Sequence, residues 1–370
     1  MMKNIFLALC VLLVVGLEAH AGVIGGPASI AVLGATVIGV PNPILQTSQE
    51  RKLFTSSFVQ NTTDRWYSPD FPRSLYSRLV FRLSGTLSKT ETGAGTLADN
   101  CLSLIRSIRV KADGDPIKEF EPSMLRVLSH HIFRRQDTNI TNITLGTDAA
   151  EAFSARFVLD FQSPNTRLPE ASLFPGNRYG ELSLEVDWGA YTDLVSGGTY
   201  TGVSFPTNPT LEVWGTEHLD PALTERRYLI HKYFTKTFSQ NATAENGKQF
   251  QLPVGEVYRG VLLKQMTRTP DLGIATLLAA GANIVVRANG SYRKIEATWA
   301  ELVQRNQAQY GIALPTGYAY LDFMDDGDFN KAMRTGDAVG ITNFEILADC
   351  SSVANAFLQV LGVTYKPARG

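Results

Sequence analysis

The chain is poor in cysteine: of its 370 residues only Cys10, Cys101 and Cys350 carry thiols. Three residues so far apart make neither a disulfide framework nor a metal-ligand spacing. A single Cys101–Cys350 bridge stays open. Excess charge of either sign is also lacking, since 34 Lys and Arg stand against 35 Asp and Glu, a net charge of −1. Nucleic-acid binding neutralises phosphates and normally shows a basic excess or a basic arm, so no direct genome contact is expected. The sequence holds no Gly-x-Ser-x-Gly elbow, no phosphate-binding glycine loop and no HExxH helix, and nothing in it marks a catalytic or cofactor site. Long apolar runs are absent as well. Ile5 to Gly16 and Val23 to Val40 are apolar, but each is short or glycine-broken against the ~20 residues that span a bilayer.

What the chain does contain is its own sequence twice, in the same order. Phe58-Val59-Gln60-Asn61 recurs as Phe238-Ser239-Gln240-Asn241, and Pro72 with Tyr76 to Val80 recurs as Pro253 with Tyr258 to Leu262. Val110-Lys111-Ala112-Asp113-Gly114 returns as Val286-Arg287-Ala288-Asn289-Gly290, Leu159-Asp160-Phe161 as Leu321-Asp322-Phe323, and Leu211 to Gly215 as Leu358 to Gly362. The offset shrinks along the chain, so the second copy has the shorter loops. A length of 370 residues accommodates two domains, each able to bury its own core. A content of 44% hydrophobic and 19% charged residues describes a folded chain.

Beyond Glu50 the pattern is β. Leu79 to Leu83, Ser107 to Lys111, Ala155 to Phe161 and Glu181 to Asp187 alternate apolar and polar residues or carry β-branched runs between turn residues. The second copy answers with Val261 to Leu263, Ile284 to Arg287, Tyr318 to Phe323 and Phe344 to Ala348. Asp113-Gly114 and Asn289-Gly290 are hairpin dipeptides suited to positive φ. One helix follows each hairpin: Pro122 opens Ser123 to Phe133 as a first-turn proline, and Thr298 with Glu301 forms a capping box before Leu302 to Tyr310. About eight short antiparallel strands per copy fit a sandwich or jelly roll, whereas a parallel α/β fold needs helices that are missing.

These successions resemble the double jelly-roll major capsid proteins of tailless icosahedral viruses with an internal membrane, of the tectivirus and corticovirus kind. The resemblance implies an all-β chain of two tandem jelly-roll β-barrels, each with a short inserted helix, preceded by an apolar N-terminal arm. The expected boundaries are an arm over residues 1–50, a first barrel over 51–217, a linker over 218–227 and a second barrel over 228–370. It also implies homotrimers of pseudo-hexagonal outline, because a trimer of duplicated domains presents six similar edges. Trimer–trimer lattice contacts, vertex and minor capsid proteins, and lipid touched by the arm are the partners it implies, in a virion shell. The arm departs from that pattern. Lys3, the apolar run and Ala19-His20-Ala21 together look like a secretory signal cleaved before Gly22. That leaves an exported β-sandwich protein of the cell surface, a glycan binder or adhesin, as the alternative.

The residues that could carry chemistry have plain readings. His130 and His131 fall at the end of the first helix, where a cation suits the dipole, and the second copy has Arg305 and Asn306 there. Asp325, Asp326 and Asp328 around Gly327 have calcium-like composition but lack EF-hand spacing; they read as a solvated turn, with a lattice calcium as the sharper alternative. The interleaved aromatic and basic residues of Tyr228 to Phe238 read as a strand with one buried face, against single-strand binding. Asn61, Asn139, Asn142, Asn241 and Asn289 head Asn-x-Ser/Thr triplets, relevant only on a eukaryotic secretory route. Barrel-to-barrel contact is expected near Cys101 and Cys350.

Overall fold

A computed structural model describes residues 48–88, 100–135, 138–141, 143, 150–162, 172–194, 204–219, 229–239, 243–267, 283–324, 329–352 and 356–367. The first half contains β1 (Ser48–Ser57), β2 (Thr63–Tyr67), β3 (Leu75–Ser88), β4 (Ile105–Ala112) and β5 (Asp115–Phe120). Helix α1 (Pro122–Val127) follows and widens into a π turn over Leu128–Ile132. Then come β6 (Asn139–Thr141), β7 (Glu151–Asp160), β8 (Phe174–Pro175), β9 (Leu182–Trp188) and β10 (Ser204–His218). The second half runs β11 (Leu229–Ser239), β12 (Glu245–Gln251), β13 (Val257–Thr267), β14 (Asn283–Ala288) and β15 (Tyr292–Thr298), followed by α2 (Trp299–Tyr310). It ends with β16 (Tyr318–Asp322), β17 (Met333–Arg334), β18 (Phe344–Cys350) and β19 (Ala356–Pro367).

Each half closes as a jelly roll. In the first, β1-β10-β3-β7 form one sheet and β5-β4-β9-β2 the facing one; in the second, β11-β19-β13-β16 face β12-β18-β14-β15. The two orders are the same across these eight strands of each half; the first half also carries the three-residue β6 beside β7. The strand runs and both helices read from the sequence coincide with these elements, with Phe133, Phe161, Glu181 and Phe323 each one residue outside. Asp113-Gly114 and Asn289-Gly290 make the two hairpins with φ of 49° and 82°, and of 49° and 74°, as a turn matched to strand twist requires. At α2 the Thr298 hydroxyl accepts from the Glu301 amide at 3.3 Å while the Glu301 carboxylate accepts from the Thr298 amide at 2.8 Å, a complete capping box.

Registers test the internal repeat more sharply than strand order does. Arg78 pairs with Asp160 in β3·β7, and Gly260 with Asp322 in β13·β16. The next amides bond alike, Phe161 to the Ser77 carbonyl and Phe323 to the Arg259 carbonyl, both at 2.9 Å. Gly215 pairs with Leu79, and Gly362 with Val261. Val110 lies opposite Leu184 and Lys118, as Val286 lies opposite Ile346 and Ile295. The hydroxyl of Tyr76 donates to the Pro72 carbonyl at 2.7 Å, and that of Tyr258 to the Pro253 carbonyl at 2.6 Å.

One sequence match does not hold. Leu211 pairs with Ser56, whereas Leu358 pairs with Phe238, so the structural counterpart of Phe238 is Ser56, two residues before Phe58. The register irregularity between Lys52 and Phe54 lies just upstream of this offset. Two expected boundaries also move. β1 begins at Ser48, inside the segment read as arm, and β10 extends through His218, which had been placed in the linker.

The core divides unequally. Val261, Leu263, Ala319, Leu321, Leu358 and Val360 fill the second barrel. Their neighbours Leu262, Tyr318, Tyr320, Leu361 and Val363 point the other way and join the core that contains the first barrel and α1. Strands buried on both faces read as near-continuous apolar runs, which is why Val261-Leu262-Leu263 shows no alternation. The matching sheet of the first barrel also buries Val80, the counterpart of Leu262, but carries charge elsewhere on its outer face. Leu79, Phe81 and Leu83 face inward, whereas Arg82 lies over the Trp214 ring at 4.7 Å and Lys52 pairs with Glu212 at 2.6 Å on its outer face.

Candidate functional site

The polar groups that matter gather where the two barrels meet. Strand β11 of the second barrel lies parallel to β5 of the first, with Tyr233 beside Lys118. One continuous sheet therefore runs β16-β13-β19-β11-β5-β4-β9-β2 through both barrels. The Thr235 hydroxyl donates to the Glu119 carbonyl at 3.0 Å across the seam.

Lys118 is fully buried there. Its Nζ donates to the Asp160 carbonyl at 3.1 Å and sits 3.6 Å from the centre of the Tyr233 ring. Burial drives its amine well below the usual lysine range, against the pull of Asp160. The Asp160 carboxylate is buried and grips Arg135, whose Nε lies 2.9 Å from Oδ2 and whose second nitrogen bonds Oδ1. That two-point fork fixes geometry as well as charge.

His231 lies one pleat further along β11, 1% exposed, with neither ring nitrogen hydrogen-bonded. Its ring stacks on Tyr365 at 5.2 Å and meets Tyr233 edge-on at 4.9 Å. Burial, then the cations Lys118 and Arg259, push its pKa well below the ordinary imidazole value. Arg259 in turn lies over the Phe133 ring at 4.8 Å.

At the other side of the seam Lys264 of β13 pairs with Glu121, the residue that caps α1, and its Nζ is 3.0 Å from the Ser123 hydroxyl. Burial raises the Glu121 carboxyl, but the Lys264 charge and the hydrogen bonds from Lys264 and Ser123 outweigh it and hold the group below its usual range. Burial likewise opposes the Lys264 charge, and Glu121 overcomes it, so the amine is held above its usual range. This is a structural lock: cations, a carboxylate and aromatic faces that fix one barrel against the other. It presents no nucleophile–base pair.

The sequence-derived candidates have other places. His130 Nδ1 lies 3.0 Å from the Arg135 carbonyl and 3.1 Å from the Thr138 hydroxyl. His131 is buried, its pKa pushed down to about 4 by burial and by the neighbouring His130 and Arg126. No group of three or more His, Cys, Asp or Glu among the described residues could hold a metal ion. Asp325, Asp326 and Asp328 lie outside the described residues; Asp322 is engaged by Gln309 at 2.9 Å, by Tyr310 and by the Met324 amide at 2.9 Å. Cys101 and Cys350 lie buried in separate cores and form no bridge with each other, so they do not mark the barrel-to-barrel contact.

Tyr228 to Phe238 forms a strand from Leu229, as its alternation implied. Tyr233 faces the seam, Phe234 and Phe238 pack on the second core, Lys232 pairs with Glu256 at 3.0 Å, and Lys236 donates to the Gln251 carbonyl at 2.8 Å. The Asn289 side chain donates to the Gly340 carbonyl at 2.6 Å and accepts from the amides of Thr342 and Asn343, so it is tied into the turn. No helix among the described residues is long and apolar enough to cross a membrane.

Neither a protein-family model nor a curated protein sequence matches the chain. Solved structures do. The chain is similar to the major capsid protein of Sulfolobus Turreted Icosahedral Virus, at 18% identity and a TM-score of 0.65, over 86% of this chain and 96% of that one. It is similar to VP54 of PBCV-1 at 14% identity and a TM-score of 0.61, over 86% and 93% of the two chains. The major capsid protein P2 from Bacteriophage PM2 matches at 13% identity and a TM-score of 0.55, over 87% and 98%. At these identities the likeness establishes the fold, two tandem jelly rolls with the same overall architecture across nearly the whole of each matched chain.

Proposed function

We propose that the chain is a viral major capsid protein, acting in the virion shell by self-association and not by catalysis. The carrying observation is the joint. Two copies of one barrel are welded by a shared sheet and a buried lock, and among the described residues no polar cluster that could serve as an active site is repeated between them. Duplication has kept the scaffold and its edges, which is what a building block needs. The fold likeness to capsid proteins points the same way.

In this reading three chains close into a trimer of six similar barrels, which tiles as a hexagon while needing only threefold symmetry. Trimers meet one another in a lattice, with vertex and minor capsid proteins as further partners and no direct nucleic-acid contact. The apolar segment before Ser48 touches an internal membrane. Ser48 pairs with His218 and His218 with Leu75, so β1 begins at the barrel end that carries the β2–β3 loop and the Asp113-Gly114 hairpin.

Light scattering of the purified chain tests the reading, with electron micrographs of assembled material. A mass of three chains and shells of one hexagonal unit are expected. A strict monomer at every concentration overturns the proposal.

A further inference from the structure

Two sheet edges that are joined inside the chain have counterparts that are left open. Within the chain, β11 of the second barrel lies against β5 of the first. The counterpart of β11 is β1, and the counterpart of β5 is β15. Both are terminal in their sheets, with no strand on the outer side among the described residues. The outer stretch Ser48–Lys52 of β1 is exposed throughout, and β15 is mostly exposed or half-buried. Open strand edges are templates for pairing with another chain. A head-to-tail contact of this kind closes into a ring when its rotation permits.

The geometry points to β1 of one chain pairing in parallel with β15 of the next, with α2 of that neighbour on the outer face of the β1-β10-β3-β7 sheet. The inference rests on the capsid-trimer reading and specifies its interface. Residues follow from register. Glu50 lies opposite Thr216 as Tyr233 lies opposite Val363, so Glu50 stands where Tyr233 does. Ile295 stands where Lys118 does, each opposite its matched valine. Transferring the seam places Glu50 beside Ile295 of the next chain, and Lys52 beside Glu296, as Thr235 lies beside Glu119.

Charge agrees with that transfer. Lys264 reaches the start of α1 inside the chain; its counterpart is Arg82, since Leu83 and Gln265 pair with the matched Leu211 and Leu358. The counterpart of Glu121 is Thr298, and acid stands on either side of it: Glu296 near the end of β15 and Glu301, which closes the capping box, in the first turn of α2, both exposed. A cation on the sheet thus still faces acid near the helix start. The Arg82 side chain is 45% exposed, lying over Trp214 with Glu50 at 3.9 Å, at the surface where a neighbour would dock.

Cysteine cross-linking tests this in the full chain carrying Cys10→Ser. Lys52→Cys with Glu296→Cys, mildly oxidised, is expected to give covalent dimers and trimers and a ladder ending at three chains. Either single variant, and Lys52→Cys with Gln249→Cys on the opposite edge strand β12, is expected to stay single. Hydrogen exchange of the unmodified protein gives an independent reading, with amides of β1 and β15 slowed in the trimer. A trimer by light scattering that neither cross-links nor slows these amides overturns this interface and leaves the trimer standing. A chain that stays monomeric overturns both.

Discussion

Lys264 and Glu121 form an ion pair between the two barrels, and Glu121 is also the residue from which α1 starts. One contact thereby ties the start of α1 to the second barrel. Its pH dependence has a definite sign. The Glu121 carboxyl is held below its ordinary 4.5 in the folded chain, so its contribution is complete above that pH and is lost as pH falls below it. Removing one partner strands a largely buried charge, so Lys264→Met is expected to cost roughly 2–4 kcal/mol, with Glu121→Gln in the same chain recovering part of it. Urea denaturation of the single and double variants measures the coupling.

The duplicated tyrosine bonds give a matched pair of tests. Tyr76→Phe and Tyr258→Phe each remove one hydroxyl bonded to a proline carbonyl. Each is expected to cost about 0.5–1.5 kcal/mol. The sites belong to different barrels, so the double variant is expected to show the sum within about 0.5 kcal/mol. A much larger double loss would show an interaction energy between the two sites.

His231 makes the joint sensitive to mild acid. Its folded pKa lies well below the ordinary 6.5, so the unfolded chain takes up the proton first. Stability is full above about pH 6.5 and falls as pH drops below it. His131, pushed down to about 4, adds a slope over the same window. His231→Phe is expected to flatten the thermal midpoint between pH 6.5 and 5 relative to the parent, since a ring of similar size keeps the stacking on Tyr365 and removes the titration.

Glycine tolerance is expected to differ between counterparts. A methyl at Gly362 would meet the Phe234 ring at 2.1 Å, and at Gly215 the nearest atom is on Tyr76 at 3.0 Å. Gly362→Ala is expected to lose about 1–3 kcal/mol, the range of overpacked cores, and Gly215→Ala less than that. Differential calorimetry orders the two.

Local chemistry was legible in the sequence, and the joint was not. Asp113-Gly114, Asn289-Gly290 and the Thr298–Glu301 box specify conformation within a few residues, so each stands where the sequence places it. The match of Phe58 with Phe238 fails because pairing register, and not the identity of one aromatic, decides which residues correspond. Lys118 was illegible for a different reason. Between Ile117 and Glu119 it looks like the outward cation of an edge strand, and only the arrival of β11 buries it. His231 is hidden in the same way, since its unbonded ring acquires meaning from Tyr365 and Arg259, which are remote in sequence.

The place of β19 in the sheet has a consequence for synthesis. It lies between β13 and β11, so the second barrel has a gap at its centre until the last of its strands has left the ribosome. Until then β11 has only the brief seam with β5, and the lock around Lys118 and Tyr233 is incomplete. A nascent or prematurely ended chain therefore lacks the finished second barrel. Pairing within the second barrel and across the joint is thereby made conditional on β19, the strand that ties β11 to β13.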